Sequence, residues 1–310
     1  MSISPAQRYQ SCHLCPRGCG ADRLSGRKGF CGEGAVLRLG TTAIHFGEEP
    51  SITGKRGSGT LFFSGCSCKC FFCQNHQISQ GEQLGKCMTE EALLDEMRRL
   101  VRAGVHNLNF VTADHYWPTV LELCRTLRAE GCDLPFLWNC SGYETPEMVD
   151  ELSDVVDIFL PDFKFMNPDL AEMCMGDRNY PEIALHAIAE MVDRKGFLRP
   201  WDASGELTAS AGTMVRHLVL PGQLRNSLTV LDILHDAFGG RLPLSLMSQY
   251  MPMPECARRG FLNTRLTERE FTRVREHAEE LGFDHVYFQL GLGDDRFAPD
   301  FTKENPFPAQ

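Results

Sequence analysis

Three cysteines in one short segment have the spacing of a metal-binding loop. Cys66, Cys70 and Cys73 follow the pattern C-x3-C-x2-C, and the apolar segment before them, GTLFFSG, is typical of a β-strand. Thiolates at this spacing can hold three corners of a 4Fe–4S cubane and leave the fourth iron open to another ligand. The alternative is a zinc knuckle, because Cys68 or His76 could supply a fourth ligand.

A second group of cysteines lies near the start of the sequence. Cys12, Cys15, Cys19 and Cys31 have the spacing C-x2-C-x3-C-x11-C. Four thiolates can close a zinc site or bind a second iron–sulfur cluster, and they could also stay unmetallated. The other cysteines are scattered, which is typical of small buried hydrophobes. They are Cys87, Cys124, Cys132, Cys140, Cys174 and Cys256.

Polar side chains stand at the ends of the predicted strands, where the working residues of barrel enzymes lie. One or two of them could be packing groups at a barrel mouth, but a full ring indicates a ligand. No acid, base or nucleophile is assigned from the sequence. The strand-end residues are Thr112, Asp114, His115, Asn139, Ser141, Asp162, Lys164, Arg216, His217, Ser248, Gln249 and Tyr250.

Six strand–helix units follow residue 58. Nearly continuous apolar strands indicate a parallel sheet covered by helices, either an open doubly wound sheet or a full or partial barrel. A last helix begins at Thr267 with a capping box to Glu270, and residues 285–291 could add a final strand. The six predicted strands cover residues 59–65, 107–112, 135–140, 156–164, 213–220 and 243–250.

Two segments depart from this repeat. Residues 197–212 predict a hairpin inserted before the fifth strand. Residues 1–58 are loop-rich and contain the first cysteine group. We therefore expect a small, metal-stapled N-terminal segment at residues 1–58 and a barrel core at residues 59–310.

Composition excludes several classes of protein. The 310 residues have a net charge of −10, which disfavours broad electrostatic binding to nucleic acid or to an anionic membrane. No apolar run approaches the roughly 18 residues of a membrane span. The first residues lack the apolar core of a signal peptide, so a disulfide framework is not expected and a cytoplasmic location is predicted.

Six segments together resemble the radical S-adenosylmethionine (SAM) superfamily, over roughly residues 58–252. The resemblance is greatest to the pyruvate formate-lyase activating enzyme-like iron–sulfur proteins of unassigned substrate. It implies a partial (β/α)6 barrel preceded here by the small cysteine-rich N-terminal segment. The segments are GCSCKCFFCQNHQIS, NFVTADHYWP, NCSGYE, LPDFKF, VRHLVLPG and SLMSQYMP.

The resemblance also implies a set of cluster ligands. It assigns Cys66, Cys70 and Cys73 to a 4Fe–4S cluster, and by position Cys68 is not a ligand. Phe72 stands where the family has an aromatic residue before the third cysteine. The N-terminal cysteines resemble a segment of the same group and of the AmmeMemoRadiSam proteins, and they leave zinc and a second iron–sulfur cluster both open.

SAM is the implied ligand of the open iron. Lys164, in the Asp162-Phe163-Lys164 element that resembles the family's D-x-K, is expected to meet the SAM carboxylate. Asn139 and Ser141 are candidate ribose contacts. Arg216 would need a partner if buried, and a ligand could supply one. The further cofactor-binding candidates are Asn75, Gln249, and Asp114 or His115 in place of the family's Gly-Gly-Glu element.

The implied activity is the reductive cleavage of SAM to a 5′-deoxyadenosyl radical that abstracts hydrogen. A low-potential donor such as flavodoxin or ferredoxin and a glycyl radical enzyme substrate are the expected partners. The chain lacks the family's Gly-Gly-Glu and Trp-His elements, so a small molecule or another peptide stays open as the substrate. A non-enzymatic iron–sulfur or zinc protein is the remaining alternative.

Overall fold

Strands and helices alternate along most of the chain. The computed structural model describes residues 4–80, 84–289, 291–293, 298–303 and 305–307, and none of their helices is long and apolar enough to cross a membrane. The strands are β1 (Leu37–His45), β2 (Ser58–Phe63), β3 (Lys86–Met88), β4 (Leu108–Val111), β5 (Phe136–Cys140), β6 (Ile158–Pro161), β7 (Gly212–Thr213), β8 (Val215–Leu218), β9 (Leu244–Met247) and β10 (Val286–Phe288). The helices are α1 (Pro5–Gln10), α2 (Pro50–Thr53), α3 (His76–Ser79), α4 (Glu90–Arg102), α5 (Trp117–Ala129), α6 (Pro146–Ser153), α7 (Pro168–Met175), α8 (Tyr180–Lys195), α9 (Leu224–Phe238), α10 (Pro254–Arg259) and α11 (Glu268–Leu281).

Two sheets form one curved wall. The larger sheet has the order β3-β1-β2-β4-β5-β6-β7, and the smaller has the order β10-β9-β8. All neighbours from β2 to β7 and from β8 to β10 are parallel. The Phe163 amide donates to the carbonyl of Arg216 (2.8 Å), so the end of β6 continues into β8. This connection confirms the partial barrel, with β2, β4, β5, β6, β8 and β9 as its six predicted strands.

The fifth predicted strand is divided between the two sheets. β7 pairs with β6 in the larger sheet, whereas β8 pairs with β9 in the smaller one. The hairpin expected at residues 197–212 is reduced to a single antiparallel bridge between Arg199 and Ala211. Residues 286–288 form the last strand, as expected, although they pair in parallel with β9.

The N-terminal segment is more closely joined to the barrel than the sequence indicated. β1 pairs antiparallel with β2 from Leu39, opposite Phe63, to His45, opposite Ser58. Tyr9 and Leu14 are buried in the same apolar core as the strands and helices of the barrel. The apolar core is continuous across residue 58. The division of the chain into two domains at this residue stays a prediction.

Local signals in the sequence fix the ends of the main helices. The Thr89 hydroxyl accepts from the Ala92 amide (3.1 Å) at the start of α4, which buries Leu93, Met97 and Leu100. At α11 the predicted capping box forms between Thr267 and Glu270. Each cap fixes the first turn of its helix, and α4 then packs on β1, β2 and β4 whereas α11 packs against α9.

A glycine makes the turn after β5 possible. Gly142 has φ +67°, and the position of its missing Cβ overlaps the backbone carbonyl of Asp162. A side chain at residue 142 would therefore separate the ends of β5 and β6. Gly131 also has a positive φ, +90°, but it has open space around it.

We expect Gly142→Ala to lower the free energy of unfolding more than Gly131→Ala. The left-handed backbone penalises both alanines by about 1–2 kcal/mol, and only the methyl at residue 142 meets a fixed backbone atom. Urea unfolding of the two variants measures the difference. Equal losses would show that β5 and β6 separate freely at this point.

Candidate active site

The loop that follows β2 places its cysteines at one end of the barrel. Cys66 and Cys70 are buried and Cys73 is half-buried. The Cys68 amide donates to Sγ of Cys66 (3.3 Å). Hydrogen bonding by the Cys68 side chain lowers the pKa of Cys66 to about 6, while burial raises the pKa of Cys70 well above its usual value. Cys66 is therefore the most readily ionised thiol of the loop.

One cavity of about 670 Å³ adjoins this loop, within the range of about 300–1,000 Å³ typical of ligand sites. The three predicted cluster ligands, Cys66, Cys70 and Cys73, line it. Most of the predicted cofactor contacts line it as well. These are Phe72, Asn75, Asn139, Ser141, Asp162, Lys164, Arg216 and Gln249.

Asp114 and His115 lie outside this cavity lining, contrary to the expectation that they contact the cofactor. Thr112, with φ +56°, lines the cavity and begins a turn that carries the next residues behind the wall. Asp114 Oδ1 accepts from the Trp138 indole (3.0 Å), and His115 Nε2 donates to the Ser64 carbonyl (2.7 Å). Burial lowers the pKa of His115 to about 3, so this histidine is a neutral core residue.

Lys164 places a positive charge beside the cysteine loop. Its ammonium forms an ion pair with Asp162. Burial alone would lower the pKa of Lys164, but Asp162 and the thiols of Cys70 and Cys68 raise it above its usual range. The same ammonium contributes to lowering the pKa of Cys66. The side chain is thus charged and close to the thiols.

Three buried side chains hold the Asp162–Lys164 segment in place, and the sequence singled out only one of them, His217, as a strand-end residue. The Tyr180 hydroxyl accepts from the Lys164 amide and lies 2.9 Å from the carbonyl oxygens of Ser141 and Asp162. His217 Nδ1 donates to the Phe163 carbonyl (2.7 Å), and Asn226 Nδ2 donates to the Lys164 carbonyl (3.1 Å). Tyr180 and Asn226 belong to no sequence motif, and only their being polar residues in buried positions could have indicated them.

The buried Arg216 has protein partners. Its Nε donates to Glu49 Oε1 (2.8 Å), and its Nη2 pairs with both Glu48 and Glu49. Asn109 Nδ2 donates to Glu48 Oε1 (2.8 Å). The chain itself therefore supplies the counter-charge of Arg216, which does not depend on a ligand for it. Glu48 and Glu49 line the same cavity, and no periodic pattern in the sequence marks them.

Three glutamines join the cysteine loop to the last strands. Gln74 Nε2 donates to the Gln249 carbonyl (2.8 Å), and Gln249 Nε2 donates to Gln74 Oε1 (3.1 Å). Gln289 Nε2 then donates to Gln249 Oε1 (2.7 Å). The side-chain amide of Gln249 is thus hydrogen-bonded to other residues of the cavity wall.

Comparisons with known proteins agree with this geometry. Residues 60–198 match the radical SAM superfamily. The chain contains a radical SAM domain. It is 29% identical over 286 residues to an uncharacterized protein of Methanocaldococcus jannaschii, covering 90% of this chain and 77% of that protein.

Two crystal structures are similar to the chain at 13% identity. The similarity to methylornithine synthase covers 71% of this chain and 60% of the synthase chain, with a TM-score of 0.50, and it supports the fold. The similarity to a domain of pyruvate-formate lyase-activating enzyme from Bacteroides vulgatus covers 56% of this chain and 91% of that domain's chain, with a TM-score of 0.39. Neither likeness identifies a substrate.

A radical SAM domain implies a 4Fe–4S cluster and SAM, and the cysteine loop fits that cluster. Over the described ranges, no three Cys, His, Asp or Glu side chains are closed around a position for one metal ion. The match to the radical SAM superfamily therefore favours a cluster over a zinc knuckle at this loop.

The four N-terminal cysteines are also brought together by the fold. The Sγ atoms of Cys19 and Cys31 lie 3.3 and 3.4 Å from the Cβ position of Gly29. Burial raises the pKa of Cys15 to about 12, and the thiols of Cys31 and Cys12 add to the effect. The predicted second site thus has its four thiols in one region, and its occupant stays a prediction.

A pair of buried carboxyl groups lies behind the radical SAM site. Burial raises the pKa of Glu144 to about 7, and burial together with Glu144 raises the pKa of Asp114 well above its usual value. Glu144 Oε1 accepts from the Ser141 amide (3.3 Å). Within the described part of the chain, Asp114 Oδ2 has no hydrogen-bond partner. A proton retained by this pair is the simplest way to keep both groups buried.

We expect the free energy of unfolding of the wild type to fall between about pH 5 and 7.5. We expect Glu144→Gln to abolish most of this fall. The native state holds the Glu144 proton more tightly than the unfolded chain, so this stabilisation is complete below pH 4.5 and is lost as the pH rises through 7. Its size is on the order of 3 kcal/mol.

Urea unfolding at several pH values measures this effect. Glu172→Gln is the matched control, because Glu172 is exposed. A wild-type profile that Glu144→Gln leaves unchanged would mean that the Glu144 carboxyl ionises freely in the native state.

Proposed function

We propose that the chain cleaves SAM reductively and uses the resulting 5′-deoxyadenosyl radical to abstract hydrogen from a substrate. The observation that carries the proposal is one cavity lined by Cys66, Cys70, Cys73 and the charged Lys164. When bound, the 4Fe–4S cluster and SAM together supply the radical by one-electron cleavage of the C5′–S bond. The protein binds, orients and shields these groups.

The side chains around the cavity divide this work. Lys164, held by Asp162, presents a fixed positive charge for the SAM carboxylate. Asn139 and Ser141 present polar groups for the ribose, and Phe72 adds an aromatic wall near the third cysteine. Apolar side chains on the other walls exclude water from the radical. They include Phe62, Phe63, Val111, Leu218, Leu220 and Met247.

For the substrate, we propose the glycine segment of a glycyl radical enzyme, on the strength of the sequence motifs. A charged small molecule or another peptide is the second candidate. It is favoured by the ion cluster of Arg216, Glu48 and Glu49, called here the Arg216 cluster. Glu48, Glu49 and Arg216 leave one net negative charge on the cavity wall, which would complement a cationic group of a substrate. A glycine residue carries no such group.

The test of SAM cleavage uses anaerobic, cluster-reconstituted protein with SAM and a chemical reductant. We expect 5′-deoxyadenosine and methionine as products, and deuterium transfer from a labelled substrate into 5′-deoxyadenosine. No cleavage by protein with a full complement of cluster, with candidate substrates present, contradicts the proposal. Anaerobic recovery of a glycyl radical enzyme as a partner distinguishes the first substrate from the second.

We expect Lys164→Met to weaken SAM binding. A hydrogen bond to a charged group contributes about 1.5–3 kcal/mol, which corresponds to a roughly 10- to 100-fold rise in Kd. Equilibrium dialysis with reconstituted protein measures the Kd, and Lys86→Met, at an exposed lysine of β3, is the control. An unchanged Kd, with the cluster content intact, excludes Lys164 as a SAM ligand.

A further inference from the structure

The N-terminal cysteine segment lies directly on the loop of the radical SAM site. The Cys66 amide donates to the Cys31 carbonyl (3.3 Å), and Arg17 Nε donates to the Ser67 carbonyl (2.9 Å). The Cβ position of Gly65 lies 3.0 Å from the same Cys31 carbonyl. A cysteine of one group is therefore in backbone contact with a cysteine of the other.

A buried cation stands among the N-terminal cysteines. Arg23 is 1% exposed, and its Nη1 lies 3.8 Å from Sγ of Cys12. Its Nε and Nη2 donate to the Gly34 carbonyl (3.1 and 2.7 Å), and Nη1 donates to the His115 carbonyl. These carbonyls satisfy its hydrogen bonds but carry no net charge, whereas thiolates that bind a metal centre would supply compensating negative charge.

The exposure of the four cysteines is uneven. Cys12, Cys15 and Cys31 are buried, whereas Cys19 is exposed. The group thus has one edge at the surface, at Cys19, and another against the radical SAM loop, at Cys31.

The contact between the two cysteine groups bears on the choice between zinc and iron at the N-terminal site. Zinc is redox-inert and would make no use of this contact. An iron–sulfur cluster can accept and release single electrons, so for a cluster the contact is functional.

We propose that Cys12, Cys15, Cys19 and Cys31 bind a second iron–sulfur cluster that passes single electrons to the radical SAM cluster. A carrier protein with a flavin or an iron–sulfur centre is oxidised by one electron at the Cys19 edge. The same electron then leaves through the Cys31 edge, and no bond or proton changes at the N-terminal site. The electron's destination rests on the proposed function, whereas the presence of the second cluster does not.

Metal analysis of the Cys66→Ala/Cys70→Ala/Cys73→Ala variant tests the second cluster. We expect the variant to lose about half of the iron and sulfide and to keep roughly four of each per chain. One zinc per chain in place of this iron, or no metal, overturns the proposal. Cys87→Ala, at an exposed cysteine outside both groups, should keep the full complement.

A second variant tests the path of the electron. In Cys12→Ser/Cys19→Ser, we expect the cluster at the radical SAM loop to be reduced by dithionite as in the wild type. Reduction by a photoreduced ferredoxin or flavodoxin should be lost, as followed by electron paramagnetic resonance of that cluster. Reduction by the protein donor at the wild-type rate overturns the relay.

These measurements separate the two proposals. If the chain did not cleave SAM, the triple variant would still report the iron and sulfide of the N-terminal site. If the N-terminal site held no iron, the wild type could still form 5′-deoxyadenosine with dithionite. Circular dichroism of each variant establishes that it is folded before the metal is counted.

Discussion

The ammonium of Lys164 imposes a strict requirement on the end of the barrel where the cysteines lie. A partly buried positive charge is unfavourable unless it is paired and hydrogen-bonded, and Asp162 is the partner two residues away. The ion pair keeps its geometry only if the backbone from Asp162 to Lys164 is held in place. Tyr180 from α8, Asn226 from α9 and His217 from β8 each bond that backbone, so two helices and a strand converge on one tripeptide.

The Arg216 cluster solves a similar problem in a different part of the cavity. Arg216 is neutralised by Glu49 and Glu48, and Asn109 supplies a further donor to Glu48. Buried ion clusters of this kind add little to stability, since apolar side chains of similar volume often do as well. The effect of this cluster that the structure does show is to place charged groups in the cavity wall. The cavity therefore presents a fixed cation at Lys164 and a net negative cluster at Arg216.

The sequence was sufficient for the parts of this architecture that depend on local pattern. Short apolar runs located the barrel strands, and the rule that working residues follow parallel strands predicted Lys164, Asn139 and Ser141, which line the cavity. The same rule failed at Asp114 and His115, because the positive φ of Thr112 and the turn after it carry both side chains behind the wall. Glu48 and Glu49 were missed because their place in the cavity depends on long-range pairing of β1, which no local period reveals.

The direction of β1 determines what lies over the cysteine loop. Because β1 is antiparallel to β2, its first residues stand beside the last residues of β2, with Leu39 opposite Phe63. The chain before β1 therefore reaches the barrel at the same end as the loop that follows β2. A parallel strand would have sent that chain to the opposite end. The contact between Cys31 and Cys66 follows from this topology, which is how two cysteines 35 residues apart in sequence come to be hydrogen-bonded through their backbones.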